Sequence, residues 1–197
     1  MLVLVLLLAL VLWRNVAALK QEAYIETMQG DLRRYVMLQE HQIDSTGAYV
    51  GRPEELNDFR LGKNVVLFAS RATDEPAWDL LLMHRRIPAV CALSVGGKRR
   101  VTGKLICQRK ETARFVVVQS PDRDVGFTAV PVTESDLDSP VALIAWNFGD
   151  GTFEIAPLSQ METTSHIFRS PGTYRVRLAV LLRDGELLTA SHTVEID

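Results

Sequence analysis

The sequence predicts an α+β unit built on one long N-terminal helix, followed by an all-β sandwich. Three observations carry this. Residues 2–13, "LVLVLLLALVLW", are uninterrupted apolar residues that lead into a helical repeat. Residues 64–108 hold four short apolar runs separated by Gly, Pro and charged turns. From about Arg114 the chain holds seven short strand-like runs and no helix signal. The expected division is a helix over 1–43, a sheet-bearing head over 44–110 and a sandwich over 115–197.

As a helix, the twelve apolar residues from Leu2 to Trp13 span only ~18 Å, short of a hydrocarbon core of ~30 Å. Three readings compete. A cleaved signal peptide would want a basic start, which "MLV" lacks, and a better small-residue site than "NVAA". A buried globular helix would have to absorb eleven consecutive aliphatics. A membrane anchor would continue as helix through the following residues, and the continuation favours this third reading. Ile25, Met28, Leu32, Tyr35 or Val36, and Ile43 recur at helical spacing, while Lys20, Glu22, Glu26, Asp31, Arg33 and Glu40 occupy much of the remaining surface. A helix from Leu2 to about Ile43 is about 63 Å long, more than a small domain needs. One end reaches lipid or a helix bundle, through Leu2, Leu4, Leu7, Val11, Trp13 and Leu19. The other end carries a head on its apolar stripe.

The chain has 197 residues, with 22 Lys/Arg against 24 Asp/Glu. Residues 1–110 hold 16 basic and 11 acidic side chains, a formal +5, and residues 111–197 hold 6 and 13, a formal −7. The sign changes where the second unit begins, so opposite surfaces can meet within or between subunits. Nothing approaches the basic excess of a nucleic-acid binder, and nucleic acid is not an expected partner. Arg85-Arg86 and Lys98-Arg99-Arg100 form a modest basic cluster, read as a solvated rim or a contact for an acidic neighbour. Cys91 and Cys107 are too few for a disulfide scaffold. Free buried thiols and a single bridge around a 15-residue loop both remain open; a bridge of that size is worth roughly 3 kcal/mol in the chain-entropy model.

The first half resembles the type IV pilins and the pseudopilins of type II secretion. The resemblance rests on the leading apolar helix, on Asp31-Leu32-Arg33, Gln39-Glu40 and Gly47-Ala48-Tyr49 in that order, and on a later sheet with a cysteine pair. It covers roughly residues 1–108. It implies a helix-cradling head, assembly through N-terminal helices, and a cysteine-flanked loop from Cys91 to Cys107. The Gly-Phe processing site of family precursors, and the Glu five residues into their mature helix, are both missing here. We therefore expect the native helix to extend upstream of Met1.

The stretch "LIAWNFGDGTFEI", residues 143–155, raises the question of an acidic reaction or metal centre. Trp146 and Phe148 share one face of a strand, which makes them core anchors. Asn147 and Asp150 are short polar residues that bond backbone N–H groups at a corner, and Gly149 and Gly151 permit angles closed to residues with a Cβ. Downstream come His166 and Phe168, then Gly172, Thr173 and Tyr174. His166 reads as a packed, hydrogen-bonded histidine, and Tyr174 as a core ring whose hydroxyl finds a polar partner. Together these residues resemble the PKD domain, an immunoglobulin-like sandwich of extracellular modules, over residues 115–197. Calcium is the rival reading, but Asn147, Asp150 and Glu154 lack the alternating oxygen ligands of such a loop.

No nucleophile–base–acid set, HExxH, phosphate loop or paired-cysteine metal motif occurs. The expectation is a non-enzymatic subunit without metal or cofactor, at the cell surface or in an extracellular filament. It would sit in the membrane before assembly and self-associate through its helices, with the sandwich facing outward. The alternative is a monomeric anchored surface protein whose sandwich binds a polysaccharide or protein.

Overall fold

A computed structural model describes residues 2–73, 77–96, 103–120, 123–130, 139–156 and 163–197, with side chains from Leu12 onward. The turn regions "SPDRD" and "TESDLDSP", the ends of the runs "VGFTAVPV" and "TFEIAPL", and the basic tip around Lys98, Arg99 and Arg100 lie wholly or partly outside the described residues. So do the side chains of Leu2, Leu4, Leu7 and Val11.

One helix, α1 (Leu2–Thr46), opens the chain, slightly longer than its repeat predicts. Gly47 ends it in the left-handed region at φ +78°, its N–H donating to the Ile43 carbonyl. Four antiparallel strands follow: β1 (Val65–Thr73), β2 (Ala77–His84), β3 (Val90–Gly96) and β4 (Leu105–Gln108), paired in that order as a first sheet. Among the described residues, seven more strands form the sandwich. The second sheet has the order β11 (Leu187–Ile196), β10 (Gly172–Leu182), β7 (Val141–Asn147), β8 (Phe153–Ala156). The third has the order β5 (Arg114–Gln119), β6 (Asp124–Val130), β9 (Thr163–Ile167). The described strands match the four apolar runs over residues 64–108 and the seven runs after about Arg114.

The apolar stripe of α1 lies on the first sheet. Ile25, Met28, Leu32 and Tyr35, spaced three and four apart, are buried against Trp78, Leu80 and Leu82 of β2 and Cys91 and Leu93 of β3. Two polar residues on α1 pin the connection to β1. Gln39, fully buried, donates to the Val50 carbonyl at 2.7 Å and accepts the Val50 N–H at 3.1 Å, as a backbone partner would. Asp31 accepts the Gly62 N–H at 2.7 Å and pairs with Arg34 at 2.9 Å. Asp31 is therefore buried, not on the solvated face its charge predicts; the N–H it accepts compensates its burial.

Cys91 and Cys107 sit directly opposite each other on β3 and β4 and form a disulfide. The bond ties the edge strand β4 to the sheet.

The sandwich packs directly on the first sheet, on the side away from α1. Its second sheet lies flat on the back of the first. Phe68, Leu81 and Val90 of the first sheet pack with Leu143, Leu181 and Leu187 of the second in one shared core. The reason is visible in the strands. β2, β7 and the end of β10 are buried on both faces, as "LLL", "VALIAW" and "LAVLL" require. The other face of the second sheet packs on the third around Trp146, Phe148, Phe127 and Phe168. The order of layers is helix, sheet, sheet, sheet.

The connection from β4 to β5 is held along its length. The Thr112 and Ala113 N–H groups both donate to the Thr189 carbonyl, at 2.8 and 2.9 Å, and Arg109 bonds Glu22 of α1 at 2.6 and 2.8 Å. Both members of the Arg109–Glu22 pair are half-exposed, so it fixes position more than it stabilises, at about 0–1 kcal/mol.

Candidate functional site

The corner from Asn147 to Thr152 turns β7 into β8, and its polar side chains divide the work. Asn147 Oδ1 accepts the Gly149 N–H at 3.2 Å. Asp150 Oδ1 accepts the Thr152 N–H at 2.9 Å and the Thr152 hydroxyl at 2.6 Å, closing the turn locally. Asp150 Oδ2 accepts from His166 Nε2–H at 2.7 Å. Because His166 is on β9, this bond joins the second sheet to the third. Burial pushes the Asp150 carboxyl up, but the hydrogen bonds from Thr152 and His166 outweigh it and hold the group below the usual carboxylate range.

An aromatic column continues the join. His166 lies flat on Phe148, with ring centroids 4.1 Å apart and planes 7° apart, and Phe168 meets it edge-on at 4.7 Å. Tyr174 stacks on Phe168 at 4.5 Å, and its hydroxyl donates to the Ser170 carbonyl at 2.9 Å. Trp146 and Phe148 are buried in the sandwich core, as their shared strand face predicts. Gly149, at φ +84°, is packed so closely that a Cβ there would lie 2.7 Å from the Arg175 carbonyl oxygen. Gly151, at φ +96°, faces open space. Gly172 begins β10, beside the ring of Tyr174.

The sequence brings together Trp146, Asn147, Phe148, Gly149, Asp150, Gly151, His166 and Tyr174, and the structure gathers them at one end of the sandwich. The disulfide pair lies apart, in the first sheet. Trp13 and Leu19 are exposed on α1, well before its buried stripe begins at Ile25.

Two arrangements escaped the sequence. Asn147 also donates through Nδ2 to the Phe68 carbonyl of β1, 2.9 Å away in the other unit. Asp79, fully buried in β2, accepts from Arg71 Nε at 2.7 Å and from the Ser94 hydroxyl. Arg71 and Ser94 are its direct neighbours on β1 and β3, so three strands share one polar ladder. A lone carboxylate inside "AWDLLLMH" is the signal that marks such a buried pair.

Between β1 and the corner lies an open crevice of about 1230 Å³. Arg52, Arg71, Arg85 and Arg177 line it together with Glu54 and Glu55. The guanidinium of Arg177 is pulled below its ordinary value, first by burial and then by neighbouring Arg175, with Glu111 opposing.

Residues 106–197 match the family model of the PKD domain. The PKD match begins inside β4 and takes in all seven strands of the sandwich and the whole corner motif. The PKD1 domain of Vibrio anguillarum Epp is similar at 22% identity, covering 44% of this chain and 92% of that one, with a TM-score of 0.36. The PKD1 domain from the Vibrio cholerae metalloprotease PrtV is similar at 21% identity, covering 43% and 94%, with a TM-score of 0.36. No curated protein matches the chain. Among the described residues, no helix is long and apolar enough to cross a membrane.

Proposed function

We propose that this chain is a non-enzymatic subunit of a surface filament of the type IV pilus or pseudopilus kind. Its N-terminal helix anchors it in the membrane before assembly and packs against neighbouring helices afterwards. The observation that carries this is the change of character along α1. From Ile25 onward the apolar stripe is buried by the first sheet, whereas Leu12, Trp13, Val16 and Leu19 are exposed, Trp13 by 71%. Glu22 already bonds Arg109 of the head. The twenty residues before it form ~30 Å of helix, matching a hydrocarbon core of ~30 Å. Within those twenty residues, 2–21, the charges are Arg14 and, near the end, Lys20.

The Cys91–Cys107 bond supports an oxidising compartment, and the PKD match supports an extracellular, adhesion-type outer layer. The test replaces Trp13 and Val16 by Asp in the full chain. Membrane association and rods in negative-stain electron microscopy should both disappear, with the β-sheet circular dichroism signal retained. Unchanged membrane association or unchanged rods would remove the role given to the helix.

A second reading is favoured by Trp13-Arg14, which ends the apolar run as residues at a membrane–water boundary do. In that reading the chain is a monomeric anchored surface protein whose sandwich binds a polysaccharide or protein. Membrane-bound chain that is monomeric in detergent and never forms rods selects it.

A further inference from the structure

The crevice between the first sheet and the sandwich has a chemistry that neither reading uses. Arg52, Arg85 and Arg177 form no ion pair among the described residues, although all three line it. Arg85 and Arg177 also line a second cavity of about 240 Å³, together with Arg175 and the carboxylate Glu111, so they stand where the two openings meet. Two further polar groups in the crevice wall lack partners. The Ser70 hydroxyl is buried on a residue only 5% exposed, and Arg71 Nη2 is buried while its Nε is engaged by Asp79. Arg71 Nη2 can only donate, so what completes it must accept.

The walls limit the shape of what fits. β1 is an edge strand of the first sheet, and β8 is an edge strand of the second. Both line the opening, through residues such as Leu67, Ser70 and Phe153. Edge strands carry unpaired backbone groups that accept an added strand; along β1 the Phe68 carbonyl is already taken by Asn147, and Gly51 lies close to the Ala72 N–H, so the edge is open only in part. The large aromatics of the corner, Trp146 and Phe148, are buried in the sandwich core, and the aromatic that lines the opening is the half-buried Phe153. Glu54 and Glu55, on the short turn Pro53–Glu55, are the carboxylates present at the opening.

We propose that this crevice docks an extended acidic peptide segment of a partner protein, its carboxylates held by Arg85 and Arg177 and its backbone lying along the edge of β1. Guanidinium–carboxylate pairs of this kind form two parallel hydrogen bonds, and their strength rises where water is partly excluded. Arg177 is half-buried and forms no ion pair, its one described hydrogen bond running from Nη1 to the Arg175 carbonyl at 3.3 Å, so it gains most from an arriving anion.

The test measures fluorescence anisotropy of a labelled eight-residue peptide of alternating Glu and Val, titrated with the full chain in detergent. The Glu peptide should bind saturably, with affinity falling as salt is added, and its Gln analogue should bind at least about tenfold more weakly. Arg85→Gln and Arg177→Gln should each weaken binding about tenfold, with Arg85→Lys and Arg177→Lys retaining part of it. Arg169→Gln, on an exposed residue outside the crevice, should change nothing. Thermal unfolding midpoints confirm that each variant is folded, and the Lys variants keep the comparison available should a Gln variant not fold. The proposal is overturned by absence of saturable binding, by equal binding of the Gln peptide, or by an equal loss in Arg169→Gln. Tighter binding of an oligogalacturonate through the same arginines would overturn the peptide assignment and point to an acidic glycan.

Discussion

The side-chain amide of Asn147, the last residue of β7, donates to the carbonyl of Phe68 at the bulge in β1, 2.9 Å away. One short side chain thus holds the corner of the sandwich and the edge of the first sheet together, using its oxygen for the corner and its nitrogen for the neighbour. Both residues are buried, so no water stands ready to replace either bond.

Asn147→Ala should lower stability by about 1–3 kcal/mol, because the Phe68 carbonyl is left buried without a donor. Asn147→Asp should cost more at neutral pH, since it sets a carboxylate against that carbonyl. Urea unfolding of the two variants beside the parent checks the order; a smaller loss in Asn147→Asp, which keeps the oxygen that Gly149 bonds, would mean that the amide nitrogen contributes nothing.

The two glycines of the corner should respond differently to the same change. Gly151→Ala meets only the backbone strain of a positive φ, about 1–2 kcal/mol. Gly149→Ala meets that strain and a clash with the Arg175 backbone, and should lose clearly more. A thermal melt of each variant is sufficient to rank them.

Acid should weaken the corner through Asp150. Its folded carboxyl is held below the ordinary value of about 3.9. It therefore contributes stability that is fully present above the unfolded-state value and is lost as pH falls through the folded one. Asp150→Asn lacks this contribution, so the stability gap between parent and variant should be largest near neutrality and shrink in acid. Denaturant curves collected from about pH 7 down to about pH 3 show the trend. A gap that widens in acid would mean that the hydrogen bonds from Thr152 and His166 are not what lowers the group.

Reducing the Cys91–Cys107 bond, or replacing both residues by Ala, should remove roughly 3 kcal/mol, as expected for a closed loop of 15 intervening residues. Unfolding with and without reductant measures it. Because β4 is an edge strand, hydrogen exchange should rise first in Leu105–Gln108.

Each strand was legible because its apolar run is short and bounded by Gly, Pro or charged turns. The stripe Ile25, Met28, Leu32, Tyr35 was legible because a helix repeats every three or four residues. The corner residues were legible as a group, and their roles followed from size and polarity. What was not legible is the stacking of layers. "VALIAW" shows that β7 is covered on both sides, but a run of apolar letters does not name the cover. Asn147 likewise reads as a corner residue, and nothing nearby in the chain announces a carbonyl 79 positions away. The charges of the crevice were hidden for the same reason, since Arg52, Arg85 and Arg177 come from three separate segments.

The shared interlayer core also bears on how such a chain can be cut and recombined. Severing it after Lys110 would bare Phe68, Leu81 and Val90 on one fragment and Leu143, Ala179 and Leu181 on the other. Both fragments would present a flat oily face to water, and aggregation would be the expected fate of each. The sandwich here is not a portable cassette. Grafting it onto another protein would require carrying the first sheet along, or rewriting the outward residues of β7 and β10 in polar letters.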